Sequence, residues 1–169
     1  MTGGLEYRTY ASRMTDPLAP PNLEHFADLQ VEVGVPQVLG SGPGGLRRVV
    51  PITGGSATGH GWRARVLPGG SDFQLIVSDT LSILDARYGL ETDAGDLIYV
   101  QNHAVRAAPV EVMAALLRGE PVDAAQIYFR CSPHFETTAP ALQWINERMF
   151  TGSGVRHPAQ VVMRFFTLL

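Results

Sequence analysis

An aspartate, two arginines and two tyrosines stand at alternating positions of segments that have the pattern of β-strands. They are Asp72, Arg87, Tyr99, Tyr128 and Arg130. A guanidinium fork binds a carboxylate or an enolate oxygen, a phenol donates a proton or a hydrogen bond, and a carboxylate can act as a base. If these side chains line the inside of one barrel, they form a site for acid–base chemistry. If they face outwards, they are solvated and need no further explanation.

The segments that carry these residues predict a β-barrel. Between residues 68 and 102, three runs of alternating residues are separated by turn signals at 78–80 and 93–96. Further strands are expected on both sides, which gives the series 29–33, 47–53, 62–67, 73–77, 81–92, 97–102, 127–131 and 159–169. Strands at intervals of about ten residues, separated by Gly and Asp turns, are typical of a sandwich or barrel. The charged and phenolic residues on their faces favour an antiparallel barrel with a central ligand pocket.

One short helix and several connections complete this interpretation. Pro109 and Glu111 mark the start of a helix, and Gly119 marks its end, so we expect it to cap one end of the barrel. The Gly-rich run at 54–61 is expected to be a flexible connection. Residues 141–150 fit either a helix face or one side of a strand. Residues 1–18 are interpreted as an N-terminal arm, and residues 19–169 as a single barrel domain.

Composition excludes several classes of function. The chain has 169 residues and a formal net charge of −3, without the basic stripe that nucleic-acid binding requires. All 13 basic residues are arginines, which excludes a Schiff-base lysine and a phosphate loop of the Gly-Lys-Ser/Thr type. The one cysteine, Cys131, and the absence of a long apolar run predict a cytoplasmic protein with no membrane contact.

Other patterns that could bear chemistry are weak. The five histidines form no HxxxH or HxH pair, so no metal site is expected. Ser71 lies in a GGSD run, but the G-x-S-x-G frame of a nucleophile elbow is absent. The Gly-rich run lacks both the lysine and the following helix of a phosphate-binding loop.

Several blocks in a fixed order resemble domain-of-unknown-function family 3237, also known as uncharacterised protein family 0311. The blocks are APPNLEHFADLQVEVG, RRVVPITGG, LPGGSDFQ, LDARYGLETDAGDLIYVQN and IYFRCSPHFETTAPALQWIN, followed by a β-rich tail. The resemblance covers roughly residues 19–169. It implies a small barrel of calycin-like or lipocalin-like form, with no settled activity. It also implies that residues 141–150 form a strand.

The resemblance includes most of the candidate site residues. It falls on Thr53, Gly54, Gly55, Asp72, Arg87, Tyr99, Tyr128, Phe129, Arg130, Glu136, Trp144 and Asn146. We expect catalytic roles for Asp72, Arg87, Tyr99 and Arg130. Substrate contacts are expected from Thr53, Trp62, Tyr128, Phe129, Trp144 and Asn146. The SATGHG loop and the Cys131-Ser132 pair depart from the family pattern.

Three classes of function remain open from the sequence. The first is a cofactor-independent isomerase, cyclase or lyase that acts on a small organic or polyketide-like molecule, with Asp72 as acid or base. The second is a carrier that holds an aromatic ligand against Trp62, Tyr128, Phe129 and Trp144. The third is a structural or interaction protein whose polar faces are solvated. A small-molecule substrate or ligand and a homodimer are the expected partners.

Overall fold

The computed structural model describes residues 18–169. The N-terminal arm interpreted over residues 1–18 lies, apart from its last residue, outside the described residues. The strands are β1 (Leu23–Val33), β2 (Gln37–Gly42), β3 (Gly45–Gly59), β4 (Trp62–Val66), β5 (Ser71–Ser78), β6 (Leu81–Thr92), β7 (Leu97–Ala107), β8 (Tyr128–Thr137), β9 (Phe150–Arg156) and β10 (Gln160–Leu168). The helices are α1 (Val110–Leu117) and two short 3₁₀ turns at Ala124–Gln126 and Gln143–Glu147.

The strands form one antiparallel sheet that closes on itself. Its order runs β1, β10, β9, β8, β7, β6, then β4 and β5, then β3, and β3 pairs with β1 to close the barrel. Strands β4 and β5 share one position between β6 and β3, which gives eight strand positions around the barrel. The hairpin strand β2 extends the sheet beside the first part of β3. The expected antiparallel barrel with one short α-helix is confirmed.

Alternation along each strand separates the inside of the barrel from the outside. In β6, Leu84, Tyr88 and Leu90 are buried, whereas Ile83 and Arg87 are exposed. A period of two residues on a closed sheet assigns every second side chain to the interior. The same parity continues through the neighbouring strands because their residues pair directly across the ladder.

Aromatic side chains fill one end of the barrel. The Phe26 and Phe150 ring centroids lie 4.8 Å apart, and those of Phe135 and Phe150 lie 4.9 Å apart. Trp62 and Trp144 both pack on Phe26 at this end. Such tilted and edge-on ring pairs add to the stability that apolar burial provides. This end is therefore a packed core.

Helix α1 lies at the opposite end, as the sequence predicts. Pro109 precedes its first residue, and Gly119 follows it with a φ of +81°. Met113 and Leu116 are its buried residues. Ser82 Oγ, inside β6, lies 3.9 Å from Met113 Sδ, so the helix packs against the barrel interior. Its role as a cap at one end agrees with the expectation.

Two predictions about connections are wrong. The run at 54–61 is not a flexible connection, because β3 continues through it to Gly59 and pairs with both β1 and β4. Residues 141–150 are not a strand, because a 3₁₀ turn occupies Gln143–Glu147 and β9 begins at Phe150. The Asn146 side chain holds this turn by accepting from the Thr137 N–H and donating to the Thr137 carbonyl, each at 2.9 Å.

Candidate functional site

The barrel contains a narrow cavity at the end that α1 covers. Its volume is about 50 Å³, and its polar lining residues are Asp72, Gln74, Tyr88, Asn102, Arg106 and Arg156. It adjoins a wider cavity of about 330 Å³ beside α1, and Val33, Val50, Gln74 and Arg156 line both. Arg48 and Arg118 lie on the wall of the wider cavity. A narrow interior with a wide mouth has the shape of a small-molecule site.

Strand register places the interior polar residues in successive layers. Asp72 on β5 pairs with Ala86 on β6, which pairs with Asn102 on β7. Gln74 occupies the next inward position of β5 and pairs with Arg48 on β3. Arg106 lies two inward positions beyond Asn102 on β7. Directly paired residues of an antiparallel sheet share a face, so all of these side chains point inwards.

Asp72 has one carboxylate oxygen without a partner. Gln74 Nε2 donates to Asp72 Oδ2, and Arg48 Nε donates to Gln74 Oε1 at 2.7 Å. The other oxygen, Oδ1, is fully enclosed and has no hydrogen bond of good geometry from the described residues. Removal from water raises the pKa of Asp72, and this effect outweighs the hydrogen bond from Gln74, the charges of Arg106 and Arg48, and a weak backbone contact from Asp85. The result is a carboxylate suited to gain and lose a proton.

Arg106 is a buried cation with unused donors. Its residue surface is only 2% exposed, and its Nε and Nη2 atoms have no partner in the described part of the chain. The guanidinium carbon lies 5.9 Å from the centre of the Phe129 ring. Burial, together with the charge of Arg48, lowers the pKa of Arg106 to about 10, so the side chain stays charged at neutral pH.

Arg48 and Arg156 add positive charge where the narrow cavity meets the wide one. Burial lowers the pKa of each, and the charge of Asp72 opposes that effect in both. Arg156 Nη1 is buried and makes no hydrogen bond within residues 18–169. Three guanidinium groups therefore surround a single carboxylate, and the region carries a net positive charge.

The unpaired buried polar atoms of the side chains are concentrated in this cavity. Within residues 18–169 they are Asp72 Oδ1, Asn102 Oδ1, Arg106 Nε, Arg106 Nη2 and Arg156 Nη1, and all four residues line it. Proteins rarely leave such groups unpaired, because each costs roughly 1–3 kcal/mol. Their concentration at one place makes the cavity the candidate site in this part of the chain.

Four of the expected site residues lie on the outer surface instead. Arg87 is exposed and binds Asp85 at 3.0 Å, and Tyr99 is 39% exposed. Arg130 lies over the Tyr128 ring with its guanidinium carbon 5.2 Å from the ring centre, and both are exposed. The predicted convergence of these four with Asp72 is wrong. Asp72 is opposite Ala86, so Arg87, one position on, must point the other way.

The remaining expected contacts are divided between the two ends of the barrel. Phe129 is buried and lines the cavity with Asp72. Thr53 is exposed, and Trp62 and Trp144 belong to the aromatic cluster at the far end. Asn146 binds the backbone of Thr137. Of the ten residues expected from the sequence, the structure brings only Asp72 and Phe129 to this cavity.

Most of the polar residues that line the two cavities were not predicted from the sequence. The missed residues are Arg48, Gln74, Tyr88, Asn102, Arg106 and Arg156. Gln74 lies two positions after Asp72 and therefore on the same face of the strand, so it could have been identified as a lining residue from the sequence. Arg106 was overlooked because the predicted strand ended at residue 102, whereas β7 continues to Ala107.

Two further buried groups stay protonated at neutral pH. Burial raises the pKa of the Cys131 thiol to about 12, although a hydrogen bond from Asn102 opposes it. Burial also raises the pKa of Tyr88, so its phenol is a neutral hydrogen-bond donor or acceptor. A thiol with this pKa is a poor nucleophile. Asp72 is therefore the better candidate for proton transfer in this cavity.

Residues 18–169 contain neither a cluster of metal-binding side chains nor a membrane-spanning helix. No group of three or more His, Cys, Asp and Glu side chains in this range is arranged to hold a metal ion. No helix in the same range has the length and apolar character needed to cross a membrane.

The position of Asp72 predicts a stability that decreases as the pH rises. A folded-state pKa above the unfolded value means that the folded protein binds the proton more tightly. The stabilisation is complete below the ordinary aspartate pKa of about 4 and is lost as the pH rises through the raised pKa. Asp72→Asn should therefore be more stable than the wild type at pH 7. Urea unfolding at a series of pH values measures this difference.

A matched aspartate provides the control for that measurement. Asp79 is exposed in the turn between β5 and β6. Asp79→Asn should leave the pH profile close to that of the wild type. A wild type that is more stable than Asp72→Asn at pH 7 would contradict the inferred direction of the pKa shift.

The closed antiparallel sheet with a polar cavity in its interior defines the class of this protein as a β-barrel. The chain belongs to the family described as "Protein of unknown function (DUF3237)", whose model matches residues 21–168. This confirms the family resemblance that the sequence carries.

Similar proteins agree with this assignment. A UPF0311 protein of Rhodopseudomonas palustris is 48% identical over 119 residues, which are 70% of this chain and 78% of that protein. A crystal structure of a conserved protein of unknown function from that organism has a TM-score of 0.84 and 39% identity, covering 88% of this chain and 98% of that one. A β-barrel-like protein of Acinetobacter baumannii has a TM-score of 0.79 and 36% identity, covering 92% and 99%.

A more distant structure shares the fold alone. It is an enzyme from Penicillium herquei, with a TM-score of 0.68 and 18% identity, covering 91% of this chain and 98% of that one.

Proposed function

We propose that this protein is a cofactor-independent enzyme that transfers a proton within a small organic substrate, as an isomerase, cyclase or lyase does. Asp72 is the proposed acid or base, and the reaction takes place in the cavity beneath α1. The observation that supports this is the free, enclosed Oδ1 of Asp72 beside guanidinium groups with unused donors. A base and an oxyanion-binding group in one desolvated space are the two parts that such a reaction needs.

The neighbouring residues give each part a definite task. Gln74 holds Asp72 Oδ2, which leaves Oδ1 unpaired as the oxygen proposed to take the proton. Arg48 fixes Gln74 in turn, so this carboxylate is held by a chain of two side chains. When Asp72 removes a proton from carbon, negative charge develops on the adjacent oxygen of the substrate. Arg156 is proposed to stabilise that charge with its unpaired Nη1 donor, and the positive charge of Arg106 adds to this effect.

A carrier function is less well supported by the cavity lining. The carrier hypothesis depends on aromatic walls, but Trp62 and Trp144 pack on Phe26 at the far end. The cavity instead contains an aspartate with a raised pKa, which simple sequestration of an aromatic ligand does not require. The fold shared with a fungal enzyme is consistent with catalysis in such a barrel, although likeness at 18% identity supports the fold alone.

Deuterium uptake in D₂O tests the proposal without knowledge of the natural substrate. A panel of pyruvate, 2-oxobutyrate, butanone and cyclohexanone contains charged and neutral compounds that exchange protons next to a carbonyl. We expect the folded protein to accelerate deuterium uptake into at least one of them, relative to heat-denatured protein, as measured by proton NMR. A protein that accelerates none of the four would contradict the proposal.

A further inference from the structure

One edge of the Arg106 guanidinium is free. Nε–H and the nearer N–H of Nη2 point in the same direction, and this pair forms the side-on fork that binds two oxygen atoms at once. Both atoms are buried, and neither has a partner among the residues that the structure describes. Arg106 itself is 2% exposed and lines the narrow cavity, so the fork is shielded from bulk water.

The nearby carboxylate does not occupy this fork. Asp72 and Arg106 line the same cavity and interact through their charges, yet Asp72 Oδ1 is also unpaired. Arg106 lies four residues beyond Asn102, the residue level with Asp72, and that is ~13 Å along the strand. Neither group hydrogen-bonds the other, so the Arg106 donors and Asp72 Oδ1 are both unpaired for a third molecule.

We infer that the substrate carries a carboxylate, which binds through both oxygens to the Nε and Nη2 edge of Arg106. This inference rests on the proposed function and names its substrate class. The charge balance supports it, since Arg48, Arg106 and Arg156 outnumber Asp72 around the narrow cavity and its mouth. An organic anion offsets this excess, and a planar two-oxygen group matches the fork where a single oxygen leaves one donor unused.

The size of the cavity limits what lies beside that carboxylate. About 50 Å³ corresponds to roughly four water-sized spheres, which accommodates the carboxylate and the short carbon unit next to it. In a 2-oxo acid the acidic C–H is on the carbon beyond the ketone, and that carbon then lies between Arg106 and Asp72, where Oδ1 can take its proton. Any larger part of the substrate extends into the cavity of about 330 Å³ beside α1. The inferred substrate is thus a carboxylic acid with an acidic C–H near its carboxylate.

Binding of pyruvate and of pyruvamide tests the inference directly. The two compounds have nearly the same shape, but only pyruvate has the negative charge and both oxygens. Isothermal titration calorimetry at pH 7 is expected to show pyruvate binding at least tenfold more tightly than pyruvamide. Equal affinities, or no measurable pyruvate binding, would overturn the inference, and this comparison needs no variant to fold.

Substitution of Arg106 locates the binding site. Arg106→Lys keeps the charge but removes the fork, so pyruvate should bind at least tenfold more weakly. Arg47→Lys is the matched control, because Arg47 is an exposed residue on β3. It should leave the affinity unchanged. Thermal unfolding without ligand shows whether each variant is folded, and unchanged pyruvate affinity in folded Arg106→Lys would overturn the inference.

Asp72→Asn separates this inference from the proposed function. The substitution removes a negative charge from the cavity, so pyruvate should bind as tightly as before or more tightly, while deuterium uptake is lost. Arg106-dependent pyruvate binding without any catalysed exchange would contradict the proposed function alone. Asp72-dependent exchange of butanone or cyclohexanone, with pyruvate affinity independent of Arg106, would overturn the carboxylate inference alone.

Discussion

Replacing Asp72 with Asn should slow catalysed deuterium exchange by ~10³-fold while the barrel remains folded. Asn keeps the volume of the side chain but cannot take a proton from carbon. The loss should appear in kcat and not in substrate affinity, because the amide still fits the cavity and the arginines remain in place. Proton NMR of deuterium uptake, at several concentrations of the most reactive panel compound, measures kcat and KM separately.

The controls for this prediction come from the same strand pair. Asp79→Asn removes an exposed carboxylate from the adjoining turn and should exchange at the wild-type rate. The urea midpoint of Asp72→Asn at pH 7 should equal or exceed that of the wild type, since the raised pKa makes the charged carboxylate costly. A folded Asp72→Asn variant that retains its exchange rate would show that Asp72 is not the proton-transfer group.

Replacing Gly55 with Ala should destabilise the barrel by more than about 4 kcal/mol, enough to prevent folding in many proteins of this size. Gly55 has a φ of +128°, and an added Cβ would lie 2.0 Å from the carbonyl oxygen of Gln30. That oxygen belongs to β1, whose pairing with β3 closes the barrel. The backbone would therefore have to move where β1 and β3 pair to close the barrel. Soluble expression and urea unfolding measure the effect.

Gly40 provides a matched comparison for this effect. Its φ is +111°, but no described atom lies within 4 Å of the added Cβ. Gly40→Ala should therefore cost only the backbone strain, about 1–3 kcal/mol, and the protein should fold. Similar losses in the two variants would show that the close approach of β1 and β3 at Gly55 is not what makes the glycine necessary.

The fold was predictable because the alternation is strong where the strands pair on both sides. The strand expected at 81–92 agrees with β6, Leu81–Thr92. Strands β2 and β9 were missed because their sequences, QVLGSG and FTGSGVR, contain glycines where an alternating pattern would show apolar residues. Gly152 and Gly154 on β9 leave room for the Phe165 and Phe129 rings, a requirement set by distant residues that no local pattern reveals.

The site was predictable only in part, because a sequence pattern shows that two faces exist without showing which is inside. Asp72 was correctly chosen as an inward residue, but Arg87 and Tyr99 were assigned to the same wall. Both have the opposite parity once the pairing of Asp72 with Ala86 is known. The charged residues were also assigned to the wrong face, because Arg87 and Arg130 were expected to point into the barrel. The buried arginine is Arg106, which is held among apolar neighbours on β7.

A crystal structure of the protein with bound pyruvate would show whether the cavity beneath α1 binds and activates a small acid. We expect the pyruvate carboxylate on Nε and Nη2 of Arg106, and its methyl carbon next to Asp72 Oδ1. Pyruvate bound instead at the outer residues Arg87 or Arg130, with the barrel interior unchanged, would contradict this expectation.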